Sequence, residues 1–173
     1  MTTTISMYTA SVPGFIQGLQ NLAHVLRKGE AHAQAHEYAP EALLQARLAP
    51  DMLPLVRQVQ IATDMVKNGA ARLAGLEPPP FADDETDFAQ LYARLDRAIA
   101  FLRSLSPEQL DGSEARDIQL KFGPRTLEFK GWDYLMGFVH PNFYFHASIA
   151  YAVLRKSGVR LGKLDYMGAD IER

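Results

Sequence analysis

The chain has no cysteine among its 173 residues. That removes disulfides, thiolate catalysis and thiolate metal sites together, and it fits a reducing compartment, so we expect a cytoplasmic protein. An excess of basic charge is also missing. Lys and Arg number 18 against 20 Asp and Glu, for a net charge of −2 and a pI near 6.2. A nucleic-acid or anionic-membrane partner usually needs a basic stripe. The one basic run, Arg155-Lys156 with Arg160 and Lys163, reads as a solvated helix end. No segment offers about 18 uninterrupted apolar residues, so no membrane span is expected. The opening MTTTISMYTASVPGF has neither the basic nor the apolar region of a signal peptide. There is no GxSxG elbow and no glycine-rich phosphate loop. Clustered acids occur only over Asp83 to Asp87, which reads as a charged connection and helix start. Nothing supports a hydrolase, kinase or dinucleotide enzyme.

What is present is helical periodicity in an ordinary globular composition, 47% apolar and 22% charged. A length of this order suits one domain, here 1–173. Tyr8, Val12, Phe15, Leu19, Leu22 and Leu26 form a first stripe, with Pro13 either kinking the helix or sitting in its first turn. It fades near His36 to Ala39, and Pro40 to Arg47 reads as one short turn. A second stripe, Leu55, Val59, Ala62, Val66 and Leu73, is expected to start after Pro50 with Asp51 at the helix start, and to end at Gly75. The third, Phe88, Leu91, Leu95, Ala98, Leu102 and Leu105, takes Thr86 as N-cap and places Arg94, Asp96, Arg97 and Arg103 on other faces. Ser106-Pro107-Glu108-Gln109 reads as a capping box. Ile118, Leu120 and Phe122, then Leu127 and Phe129, alternate around Gly123-Pro124, which predicts a small hairpin. The last helix spans Gly131 to Lys156, with an interruption expected at His140-Pro141 and Gly158 as C-cap. The tail from Val159 is too short and mixed for another long element. Four amphipathic helices with a strand insertion predict an all-α four-helix bundle.

Function is sought in the late aromatic segment. Asn142 and His146 stand one helical turn apart where a core prefers leucine, and a buried polar group left unpaired costs roughly 1–3 kcal/mol. His146 shares a face with Ile149 and Val153. It is either an imidazole facing a ligand, oriented by Asn142 or Gln58, or a core histidine bonded to a neighbour. Tyr134, Phe143, Tyr144, Phe145 and Tyr151 supply core or a dimer face, a tyrosine hydroxyl near His146 being a further donor. Arg57 is either a clamp for an anionic group or a solvated helix-face residue. His32 and His36 have metal-ligand spacing, yet in HAQAHE they read as a solvated pair. His140 reads as structural or surface-exposed.

The run HASIAYAVLRKSG from His146 to Gly158 resembles the closing helix of the DinB-like (YfiT-like) metalloenzyme superfamily. PNFYFHASIAYAVLRKSGV, RLAPDMLPLVRQVQIA and LGKLDYMG are similar to one bacterial domain-of-unknown-function branch of it. The resemblance covers essentially the whole chain. It implies a bundle in up-down-down-up order, often a homodimer. In many members it implies three histidines on a divalent metal, one from the second helix and two spaced by four on the last. Here His146 matches the second of that pair, Asn142 stands at the first, and Asp51 to Leu73 holds no histidine, Gln58 being the nearest polar residue that can face inward. One imidazole with two amides is a poor site for zinc, nickel or copper, so no metal is assigned; His146 is the one ligand that would remain.

Two functions follow as expectations. One is a small-molecule protein with a cavity between the helices, with His146 as acid, base or donor and Asn142, Gln58, Tyr144 and Arg57 as ligand-binding groups. Some relatives in the superfamily are thiol-dependent transferases, so a low-molecular-weight thiol is a conceivable substrate. The other is a non-enzymatic homodimeric interaction module.

Overall fold

The computed structural model describes residues 5–168. Helix α1 runs Val12–Ala35, followed by the short α2, Glu41–Leu44, then α3, Leu55–Leu73, and α4, Phe88–Arg103. A single turn, α5 (Pro107–Leu110), leads into strands β1 (Asp117–Phe122) and β2 (Arg125–Lys130). The chain then continues as α6 (Gly131–Tyr134), a π-helical turn over Leu135–Val139, α7 (His140–Lys156) and the short α8 (Lys163–Met167). No helix among the described residues is long and apolar enough to cross a membrane.

The apolar stripes land where the periodicity puts them. Phe15, Leu19 and Leu26 of α1, Val59 and Val66 of α3, Leu91 and Leu95 of α4 and Phe143 and Val153 of α7 share one buried core. α3 packs most extensively along α7, α1 along α4, and α3 also meets α4. Two glycines set the closeness of these contacts. A Cβ at Gly18 would stand 2.5 Å from the Phe143 ring, and one at Gly69 would stand 2.8 Å from Val139. The hairpin forms as expected, antiparallel from Asp117↔Lys130 to Phe122↔Arg125.

Four local expectations need correction. Helix α3 begins at Leu55 rather than Asp51, because Pro54 holds an extended ψ of 166° and disfavours the helical region for the residue before it. The cap of α4 is Asp87, not Thr86: its carboxylate accepts from the Gln90 amide at 2.8 Å, while the Gln90 side chain accepts from the Thr86 amide at 2.6 Å. The last helix does not break at His140-Pro141. His140 is helical at φ −58°, ψ −51°, and its N–H reaches back to the Leu135 carbonyl across the widened turn. That turn shifts the hydrogen-bond register just where Pro141 lacks a donor, so the axis continues. Pro13 falls in the first turn of α1, where its missing N–H is harmless.

The fourth correction is the largest. Arg94 is fully buried rather than solvated. Its guanidinium meets Asp64 at 2.8 Å, Glu85 at 3.1 Å and Asp83 at 3.1 Å, and donates to the Ala82 carbonyl at 2.8 Å. Lys67, also buried, donates to the Pro79 carbonyl at 2.7 Å and lies 3.9 Å over the Phe81 ring. Burial pushes the Lys67 ammonium pKa down, with Asp64 opposing that shift. The acidic connection between α3 and α4 thus clamps a buried guanidinium, with Glu85 buried beside it and Asp83 at the surface. Removing one member of a buried pair typically costs about 3–5 kcal/mol, because the other charge stays buried unpaired. Arg94→Ala is expected to lose that much in urea unfolding; a loss under about 1 kcal/mol would mean the clamp carries no stability.

Helix α8 is held to α1 by Asp165, whose side chain is almost buried. Lys28 reaches it at 2.5 Å and His24 at 3.2 Å, and the Gly162 amide donates at 2.7 Å. Burial opposes ionisation of this carboxyl, but the donors together outweigh it and hold the pKa at about 2. A folded-state value below the unfolded one of about 3.9 stabilises the fold fully above pH 4, and the stabilisation is lost as pH falls toward 2. Asp165→Asn should therefore flatten that part of an acid-unfolding curve; an unchanged slope between pH 4 and 2 would contradict the assignment.

Candidate functional site

The contact between α3 and α7 brings His146 to the first turn of α3. There Gln58, only 2% exposed, uses both ends of its amide. Its Nε2 donates to the Leu53 carbonyl at 3.0 Å, a group left outside the helix because α3 starts beyond Pro54. The Oε1 is therefore turned to His146 Nδ1, 2.7 Å away. A carbonyl oxygen only accepts, so Nδ1 must carry the proton, and the lone pair lies on Nε2. Nε2 has no hydrogen-bond partner among the described residues. The imidazole is half-buried, with the Phe145 ring edge-on at 5.1 Å. Burial pushes its pKa below the ordinary 6.5. At neutral pH the group is an uncharged, oriented hydrogen-bond acceptor, suited to receiving a proton and unsuited to binding an anion.

The other expected site residues do not converge on it. Asn142 donates from Nδ2 to the Phe138 carbonyl at 2.7 Å, which supports the widened turn. Arg57 donates to Gln60 at 2.7 Å and pairs with Asp83 at 2.7 Å, so it belongs to the clamp between α3 and α4. Tyr144 is partly exposed and stacks on His140, centroids 5.9 Å apart, and His140 is itself tied to the Ala10 carbonyl at 2.9 Å. Burial raises the Tyr144 hydroxyl pKa, with Tyr166 adding to it. This tyrosine lines a separate hollow of about 290 Å³ with Gly18, Asn21, Phe143, Ala147 and Tyr166. That hollow lies between α1, α7 and α8, and His146 is not in its wall. Its one sequence signal was Gly14 and Gly18 one turn apart on α1: a Cβ at Gly14 would meet open space, and the Phe143 ring fills the place at Gly18. His32 and His36 stack, centroids 4.1 Å apart, and His36 Nδ1 is bonded to the His32 carbonyl at 2.8 Å.

These residues do not fit a divalent metal. Gln58 Oε1 already accepts from an imidazole N–H, and Asn142 is drawn by its Nδ2 to the Phe138 carbonyl rather than set beside His146. Among the described residues no group of three or more His, Asp or Glu side chains is placed to hold an ion.

Comparison with known proteins gives the setting. A family model described as a domain of unknown function (DUF1993) matches residues 7–167. The crystal structure of a DinB family member protein from Shewanella denitrificans is 36% identical and superposes with a TM-score of 0.85, over 96% of this chain and 94% of that one. No curated protein matches.

The tautomer argument has a direct check. In an NMR titration His146 should show a pKa below 6.5. Gln58→Glu, which places a carboxylate on Nδ1–H, should raise it by about one unit or more. A titration indifferent to that substitution would mean the hydrogen bond does not form in solution.

Proposed function

The chain belongs to the DUF1993 family, and we propose that it is a small-molecule-binding protein in which His146 Nε2 takes a hydrogen bond or a proton from a protic ligand. The observation that carries this reading is the Gln58 Oε1 to His146 Nδ1 bond, which orients the ring and leaves one basic nitrogen. We read the long helices α1, α3, α4 and α7 as one four-helix bundle in up-down-down-up order, within a single domain spanning 1–173. The similarity to a DinB family member supports that build.

A low-molecular-weight thiol, the substrate class that the resemblance to thiol-dependent transferases brings in, is one ligand that this chemistry allows. With its pKa held below 6.5, the imidazole is unprotonated at pH 7, yet it is a weaker base than a thiolate of ordinary pKa near 8.5. It would not ionise the thiol outright. It would take the S–H proton as sulfur bonds to an electrophile, then return it to the leaving group, which is general-base transfer. That makes a transferase the form any activity would take, with Gln58 positioning the base.

A homodimeric module without catalysis is the second reading, favoured by the exposed side chains of Trp132, Met136 and Phe145 on the α6–α7 segment. Thermal shift separates the two. With a panel of small thiols at about 100 times Kd, ligand linkage adds about 2.7 kcal/mol, a rise of roughly 5–10 °C in Tm. That rise should vanish in His146→Ala and persist in His32→Ala. If no thiol moves the melting point and His146→Ala merely destabilises, the second reading stands.

A further inference from the structure

The two-stranded sheet has an open edge. Among the described residues β1 pairs with β2 alone, and a groove of about 640 Å³ bordered by Arg72, Leu76 and Pro78 runs along its other side. In an antiparallel pair, alternate residues aim their N–H and C=O at the partner strand, the rest away from it. The loop here is two residues, Gly123-Pro124, so Phe122↔Arg125 is the closing hydrogen-bonded pair. Counting back, Leu120 and Ile118 also face β2, while Asp117, Gln119 and Lys121 present their backbone groups to the open edge. Among the described residues none of these three bonds any other backbone segment there.

Their side chains are self-complementary about Gln119; within the hairpin Asp117 pairs with Lys130 at 2.6 Å and Gln119 donates to Glu128 at 3.1 Å, exposed contacts that a second strand would exchange. A second β1 laid antiparallel and centred on that residue sets Gln119 against Gln119, and Asp117 against Lys121 on both sides. All three pairs fall at positions where backbone groups point outward, so each exchanges both N–H···O bonds. Ile118 and Leu120, buried on the inner face at 4% and 6%, meet across the strands with matching sides. β2 has no equivalent: centring it on Glu128 opposes two carboxylates, and centring it on Leu127 opposes Arg125 to Phe129. The geometry points to a second copy of this chain as the occupant of the β1 edge, making a continuous four-stranded sheet across a two-fold axis. Charged edge residues ordinarily discourage pairing. Here they are self-complementary in this register, where each carboxylate meets an ammonium. Exposed ion pairs add little affinity, so their part is selection, and the backbone ladder supplies the attraction.

This inference does not use the imidazole site, and its test is independent of it. Sedimentation velocity of the full chain at low salt should give a dimer, unchanged by His146→Ala. Gln119→Pro, which removes the central N–H, should be monomeric. Lys121→Asp and Asp117→Lys each oppose like charges and should weaken the dimer by roughly tenfold. Mixed in equal amounts, those two variants restore opposite charge at both positions, so the mixture should dimerise more tightly than either alone. Misfolded chains would not be rescued in this way. Hydrogen exchange at Asp117, Gln119 and Lys121 should slow as protein concentration rises. A wild-type chain monomeric at about 100 µM, or a dimer indifferent to all three substitutions, overturns the proposal.

Discussion

One hydrogen bond, from His146 Nδ1 to Gln58 Oε1, fixes which nitrogen of the imidazole keeps its lone pair. Its direction is set from outside the pair. Pro54 starts α3 and leaves the Leu53 carbonyl beyond the helix; that carbonyl needs a donor, and the amide nitrogen of Gln58 supplies it. An amide has one donor end and one acceptor end, so satisfying the backbone fixes which end the imidazole meets. The proton position on a histidine of α7 is thereby traced to the proline that opens α3. Half-burial then keeps the ring neutral. Without the amide the ring would be free to adopt either tautomer.

Helix α3 bears two different interfaces, separated by its own geometry. Gln58, with Val59, Ala62 and Val66, belongs to the packed interior and the α7 side. Arg57, Gln60, Asp64 and Lys67, at steps of three and four, form a polar stripe toward the connection that leads to α4. Gln60 donates to Glu85 at 2.8 Å, and Asp64 meets both Arg94 and Lys67. The stripe fixes the rotation of α3 about its axis. A helix turned by one residue would carry Gln58 away from α7, so the buried clamp and the oriented imidazole are mechanically linked although no bond joins them.

The long helices were legible because burial repeats with the helical period, and the hairpin because the period changes to two at Ile118. The features that escaped have physical reasons. Arg94 carries charge on a helix that is otherwise a clean amphipath, and its burial depends on three carboxylates supplied by a neighbouring helix and a loop. Pattern alone cannot bring Asp64, Asp83 and Glu85 to one point. The widened turn before Pro141 depends on Gly69 giving Val139 room from across the core, again a tertiary contact. Of the candidate site, Gln58 and His146 could be read as facing polar positions, but Asn142, Arg57 and Tyr144 each proved committed to nearer partners.

The two amides stand where the resemblance implies imidazoles, and backbone accounting explains them. Gln58 serves the Leu53 carbonyl at the proline that opens α3, and Asn142 serves the Phe138 carbonyl at the widened turn before Pro141. Both N–H groups are thus committed to main-chain oxygens at helix starts that proline disturbs. To a metal ion an amide offers only its oxygen, and in Gln58 that oxygen already accepts a hydrogen bond from His146 Nδ1–H. A metal ion would compete with that N–H for the same lone pairs and would leave the imidazole without its orienting partner. The arrangement is therefore a closed hydrogen-bonded unit with one unspent nitrogen, a donor set for protons rather than for cations.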